Sequence, residues 1–249
     1  SELKITTNGS VSTTAVSPST TNPFIIGGRP DSQGVTNVKT DRDFNGYLDE
    51  LKIYDYVLSG MHYGKPKEIG DTYYSDPWLS ADGKYGSKSV SRDEIVSLYK
   101  KAKNEDGNYT FGNGNSVYAC DIGVGNCTDY HSYFLSLSRT LGVPARFHMG
   151  FTIPQGVQGK IGGYHCWADF YEEDKGWTPV DISEADKAPE KKNYFFGTAT
   201  ENRVEMMVGR DFELKGYDEG LVNLFIYPLL EIEDQKSKSF TKSFYYKNI

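Results

Sequence analysis

GNCTDYHSYFLSLSRTLGVPARFHMGF, residues 125–151, is the stretch whose reading decides the fold. Tyr130, Phe134, Leu137, Ser138 and Leu141 recur at steps of four and three, the spacing of one buried helix face. That face predicts a helix starting near Cys127. Gly142 and Pro144 end it. The next residues, 145–153 (ARFHMGFTI), read as a strand. Farther on, 164–171 (YHCWADFY) and 176–181 (GWTPVD) read as two strands joined by the turn EEDK, and 194–196, 203–208 and 222–231 add strand-like runs. A helix followed by an antiparallel sheet is an α+β pattern.

Upstream the signals are weaker. Ser91-Arg-Asp-Glu94 opens a helix with a Ser cap and acids in its first turn, running to about Lys103. Residues 107–125 are glycine-rich with little periodicity and read as a loop leading to Cys127. Residues 24–28 (FIIGG) and 47–54 (YLDELKIY) read as strands, the second because Leu48, Leu51 and Ile53 come close to period-two alternation.

Composition limits the function. The chain has 249 residues, 37% hydrophobic and 24% charged, enough to bury a core in one large or two small domains. Net charge is −7, which argues against nucleic acid or an anionic membrane as a partner. No apolar run is long enough for a membrane span, and SELKITTNGS carries no signal-like apolar stretch. Three cysteines, Cys120, Cys127 and Cys166, are too few for a disulfide scaffold.

Cys127 stands where a helix begins. Unpaired N–H groups and the helix dipole there favour the thiolate, the form that attacks a carbonyl. Its own backbone N–H can donate to a developing oxyanion. His165 and Asp181 follow from the hairpin: a turn at EEDK sets His165 opposite residue 181 or 182. Directly opposite side chains share a face, so Asp181 can orient the imidazole and stabilise its charged form. Cys166 points to the other face and reads as core. Cys120 can line the site, pair with Cys166 or be buried. A zinc site from Cys120, Cys127, His131 and His165 lacks the CxxC or HxxxH spacing such sites show, so no metal and no cofactor is expected. Asp129 is expected to meet the helix N-terminus or Arg146, and Arg146 to fix structure.

Residues 125–151 and GGYHCWADFYEEDKGWTPVDIS (162–183) resemble the cysteine, histidine and aspartate segments of the transglutaminase-like superfamily, and YFFGTATENRVEMMVGRDF (194–212) resembles its bacterial members, often labelled cysteine proteases. The resemblance covers roughly 107–230. It implies a transglutaminase-like (papain-like) α+β core with the cysteine-bearing helix packed on an antiparallel sheet. It implies Cys127 as nucleophile, His165 as general base then acid, Asp181 as orienter, and acyl transfer as the chemistry. Family members take an oxyanion side chain from upstream of the cysteine, and Tyr118 and Asn115 are the candidates here; Trp167 and Tyr164, which flank His165, can shield it, form a subsite wall or pack in the core.

NGSVSTTAV (8–16), FIIGG and FNGYLDELKIYDYVLS (44–59) are similar to the last strands of laminin-G-like, concanavalin-like jelly rolls, with the front half missing. The expected organisation is therefore 1–62 as a partial laminin-G-like β segment, 63–106 as linker and helix, and 107–249 as the transglutaminase-like domain. The resemblances imply a secreted, periplasmic or cell-surface bacterial cysteine peptidase or amidase acting on a peptide or protein substrate. Alternatives are a protein-glutamine γ-glutamyltransferase and a non-catalytic binding module with a vestigial triad, with carbohydrate or protein contact through the N-terminal segment.

Overall fold

A computed structural model of the chain describes residues 50–64, 66–69, 72–75, 92–172, 175–233, 235–237 and 239–247. The chain divides into two compact units, Ser1–Asp49 and Glu50–Ile249; the described residues all belong to the second. The proposed strand at 24–28 and most of the jelly-roll-like segment fall outside them.

Among the described residues five α-helices, α1 (Glu50–Gly60), α2 (Arg92–Lys101), α3 (Ser116–Ile122), α4 (Cys127–Thr140) and α5 (Ile182–Lys187), accompany a four-stranded sheet. The sheet strands are β1 (Ala145–Thr152), β2 (Tyr164–Glu172), β3 (Gly176–Val180) and β4 (Arg203–Val208). Their order is β3-β2-β1-β4, and every pair is antiparallel.

Helix α4 lies on one face of this sheet. Tyr130 and Phe134 are fully buried with Phe147, Met149, Cys166, Ala168 and Phe170, and the Phe134 and Phe170 rings stand 6.3 Å apart. Each such side chain contributes about 1.5–3 kcal/mol by leaving water. The start of α4 is set locally. Asn126 caps it, its side chain accepting from the Thr128 N–H, while Asp129 accepts from the Asn126 N–H in a capping box. Asp129 also accepts from the N–H groups of Gly112 (2.7 Å) and Gly114 (3.0 Å). Arg210 donates to the carbonyls of Asn113 and Gly114 and to the Ser132 hydroxyl. The loop before the nucleophile is therefore tied to the helix that carries it. Asp129 meets the helix start, as one of its two expected partners; Arg146 instead donates to Asp169.

Four local expectations change. Residues 50–60 are helix, not strand. Ile53, Tyr54, Val57 and Leu58 form a buried helical face, while Leu51, one of the three residues of the supposed alternation, is 44% exposed. The period is 3.6, and the spacing of two between Leu51 and Ile53 is fortuitous. The loop expected over 107–125 contains α3, which Asn115 caps and Gly123, in the left-handed region, closes. Among the described residues of 222–231, only an isolated bridge at Val222 and the strand pair Glu231–Ile232 with Gln235–Lys236 form. Likewise 194–196 forms a bridge from Phe196 to Val180 instead of a strand.

No helix among the described residues is long and apolar enough to cross a membrane.

One glycine holds the sheet together. At Gly150, where the β1–β4 register shifts, an added Cβ would overlap the backbone carbonyl of Val204. The clash is with backbone, so no rotamer relieves it. Gly150→Ala is expected to destabilise by at least about 1–3 kcal/mol, the usual cost of overpacking. Urea denaturation checks it; an unchanged midpoint would show that β4 yields without cost.

Candidate active site

Cys127 is the first residue of α4 and is almost wholly buried. His165, on β2, presents Nε2 to Asp181 Oδ2 at 2.6 Å. That leaves Nδ1 on the side of the Cys127 sulfur, with which the ring also interacts.

The hairpin register is one residue off the expected one. Ala168 pairs with Val180 and Glu172 with Gly176, so Ser183 rather than Asp181 would lie opposite His165. Strand β3 ends at Val180, and Asp181 turns inward as the N-cap of α5. Its Oδ1 accepts from the Glu184 N–H and the Ser183 hydroxyl, both at 2.9 Å. Its Oδ2 is thereby aimed along a diagonal at His165. The pair predicted as cross-strand neighbours meets through a helix cap.

Arg203, on β4, is a residue the sequence reading missed. Its guanidinium reaches Asp181 Oδ2 at 2.6 Å, lies over the Trp167 ring at 5.2 Å, and donates from Nε to Thr200. An arginine in the half-apolar run Arg203–Val208 was the available signal, but nothing in the chain pointed to its partner.

His131 is also part of the arrangement. The Ile182 N–H donates to its Nε2 at 3.1 Å, so its Nδ1–H donates to the Cys127 carbonyl at 2.7 Å. Nε2 thereby joins α4 to α5, while Nδ1 bonds within α4. Burial pushes its pKa down to about 4, so the ring is neutral and its 3.6 Å approach to Asp181 is no ion pair.

Electrostatics bind these groups together. Burial opposes the charge on Asp181, but His165 and Arg203 hold its carboxyl well below the usual range. Burial alone would lower His165, yet the Asp181 charge and hydrogen bond push it up to about 10. A hydrogen bond from Cys166, acting against burial, and the neighbouring His165 hold the Cys127 thiol well below its ordinary value. Both shifts favour a thiolate at Cys127 beside an imidazolium at His165.

The remaining residues take definite places. Cys166 is buried on the α4 side, 3.4 Å from Thr128 Oγ1, with its own thiol pushed up by burial and by Cys127. No disulfide joins the described cysteines, and Cys120 neighbours Tyr133. Asn115 spends its side-chain carbonyl on capping α3 through the N–H groups of Val117 and Tyr118. Tyr118 is half-buried, with its hydroxyl buried near Asp129 and Thr110. Trp167 shares the sheet face of His165, stacking on it at 6.4 Å and on His148 at 5.7 Å. His148 in turn meets Glu205 at 2.6 Å and Asp169 at 3.0 Å.

Alkylation tests this charge arrangement. With Cys127 depressed and His165 raised, the thiolate–imidazolium pair is complete between those two titrations. Iodoacetamide should therefore label Cys127 at a nearly flat rate from mildly acidic pH to about 10, where His165 loses its proton. An ordinary thiol is only ~0.3% ionised at pH 6; allowing for the weaker nucleophilicity of a low-pKa thiolate, Cys127 should still react about tenfold faster. A rate rising steadily through pH 8–9 would refute it.

Residues 81–182 match the model of the Transglutaminase-like superfamily, a span that ends just past Asp181. A curated protein of Haemophilus influenzae, itself uncharacterised, is 32% identical over an alignment covering 51% of this chain and 46% of that protein. The chain thus spans about half the length of the curated relative it matches. Among solved structures, a candidate cysteine protease from Cytophaga hutchinsonii is similar with a TM-score of 0.34 and 15% identity, over 68% of this chain and 38% of that one. The periplasmic domain of TgpA from Pseudomonas aeruginosa, bound to ethylmercury, gives a TM-score of 0.26 and 20% identity over 42% of each chain. Residues 81–182 are thus transglutaminase-like, and the fold is an α+β core in which the cysteine-bearing helix packs on an antiparallel sheet.

Proposed function

We propose that the protein is a thiol-dependent acyl-transfer enzyme, a cysteine peptidase or amidase, in which Cys127, His165 and Asp181 act as nucleophile, base–acid and orienter. The observation that carries this reading is the depressed thiol of Cys127 at a helix N-terminus, beside an imidazole that Asp181 holds through Nε2 at 2.6 Å. Thiolate, proton carrier and orienting carboxylate are what acyl transfer to sulfur needs.

In this mechanism the Cys127 sulfur attacks a substrate carbonyl carbon and forms an S–C bond, and the carbonyl π pair moves onto oxygen. The pair returns as the C–N bond breaks, and the imidazolium of His165 gives its proton to the leaving amine. Water then attacks the thioester carbonyl as neutral His165 takes its proton, and the C–S bond breaks to release the acid and restore the Cys127 thiolate beside the His165 imidazolium. An amine resolving the same thioester would make the protein a transamidase. Asp181 keeps its charge throughout, since Arg203 and His165 both oppose its protonation.

A peptide-library digest with wild type and Cys127→Ala, with and without an amine acceptor, tests the reading. Cysteine-dependent cleavage supports the hydrolase. Cysteine-dependent amine incorporation in its place supports the transferase. Neither activity, together with slow alkylation of Cys127, would leave a binding module with an inert triad.

A further inference from the structure

The proposed chemistry needs donors for the oxyanion, and the backbone N–H of Cys127 is one. Upstream, Asn115 spends its side-chain carbonyl on capping α3, and the Tyr118 hydroxyl is buried beside Asp129 and Thr110. The packing of α4 on β2 points to a different side chain. Phe134 meets Phe170, and Thr128 meets Cys166, so helix and strand run alongside each other in the same direction. Tyr164 is two residues before Cys166 and on the same sheet face, about 6–7 Å farther along the strand. The helix extends only one residue beyond Thr128, to Cys127. Tyr164 therefore stands past the end of α4, before its first turn. Its phenol neighbours the side chains of Asn126 and Thr128, which flank the nucleophile, and feels the charge of Cys127 itself.

We propose that the Tyr164 hydroxyl donates a hydrogen bond to the oxyanion formed when Cys127 attacks an acyl substrate, alongside the Cys127 backbone N–H; this rests on the acyl-transfer reading above.

Tyr164 suits the task in two further ways. It is half-buried, so a substrate oxygen can reach it. Burial and the nearby Cys127 push its phenol up to about 12, so it remains a protonated donor at neutral pH. Its ring is held from behind: Tyr227 meets it edge-on at 6.1 Å, Phe244 lies 5.9 Å from Tyr227, and Phe151 lies 4.8 Å from Phe244. A donor fixed before the reaction need not reorganise when charge appears on the substrate oxygen, which is the source of its effect. No proton leaves Tyr164: the hydrogen bond strengthens as the carbonyl pair moves onto oxygen and weakens when that pair returns.

The test compares wild type with Tyr164→Phe, which keeps the ring and removes only the hydroxyl. Acylation by a p-nitrophenyl ester of a short acyl group is followed by p-nitrophenol release, and Cys127 alkylation by iodoacetamide is measured in parallel. The expected result is a fall in acylation rate of about 10²-fold, the effect of losing one oxyanion donor. KM and the alkylation rate should change less than about twofold, because alkylation forms no oxyanion. A peptide aldehyde, which forms a thiohemiacetal at Cys127, should bind correspondingly more weakly to Tyr164→Phe. This second readout stands even where ester turnover is slow. Acylation and aldehyde binding within about twofold of wild type would overturn the proposal. Parallel losses in acylation, alkylation and melting temperature would also overturn it, by assigning Tyr164 a packing role. Failure of wild type itself to acylate, with Cys127 still alkylated rapidly, would instead strike at the acyl-transfer reading.

Discussion

Cys127→Ala is expected to abolish cysteine-dependent cleavage, lowering turnover at least ~10⁴-fold, because no other group can form the covalent intermediate. His131 cannot substitute, since both its nitrogens are engaged, one by the Cys127 carbonyl within α4 and one by the Ile182 N–H of α5. Cys166 is adjacent, but burial and Cys127 push its thiol up rather than down. The fold should survive. Alanine is a good helix former, and Asn126 with Asp129 caps α4 without using the thiol. The melting temperature should therefore stay within a few degrees while activity vanishes. The variant also isolates one electrostatic coupling. With the thiolate gone, His165 should titrate lower than in wild type, but still above an ordinary histidine, because Asp181 remains. Residual cleavage equal to wild type would assign the activity to another group or another protein.

Asp181→Asn is expected to cost both activity and stability. Asn ranks with Asp as an N-cap, so the start of α5 should persist and the change isolates the charge. The carboxylate it removes faces Arg203 at 2.6 Å and His165 at 2.6 Å in a site nearly closed to water. Leaving the Arg203 cation buried without its counter-charge should cost about 3–5 kcal/mol, the usual penalty for breaking a buried ion pair. The Asn amide would also offer His165 a donor where an acceptor stood, which favours the wrong imidazole tautomer; a comparable change costs ~10⁴ in rate in a serine triad. The thiolate should weaken in step, so that iodoacetamide labelling of Cys127 moves toward the pH range of an ordinary thiol. Asp181→Ala should lose about a further 1 kcal/mol through the missing cap. Stability and labelling profiles that match wild type would show that neither Arg203 nor His165 depends on this carboxylate.

Legibility followed the range of the interaction. The start of α4, the turn at Gly142 and Pro144, and strands β1 to β4 were readable because caps, breakers and period-two or period-3.6 patterns act within a few residues. Where two periods competed over a short run, as at 47–54, the pattern misled, and packing of Ile53, Tyr54, Val57 and Leu58 decided for helix. Helix α3 was missed because SVYACDI carries no clear apolar stripe; its ends are set by Asn115 and Gly123.

The sequence by itself determined that a cysteine opens a helix, that a histidine and an aspartate sit at the ends of a hairpin, and that the chemistry to expect is that of a thiol. Those are local facts: a helix N-terminus stabilises a thiolate wherever the helix lies. Tertiary structure alone decided how the groups meet. It brought Asp181 to His165 through a helix cap rather than across a ladder, and set Arg203 from a separate strand against that carboxylate. It also engaged both nitrogens of His131 and placed Tyr164 before the first turn of α4. Hydrogen bonds and charges act over a few ångströms in space, whatever the separation in the chain, so only the packing of α4 on the sheet could select these partners.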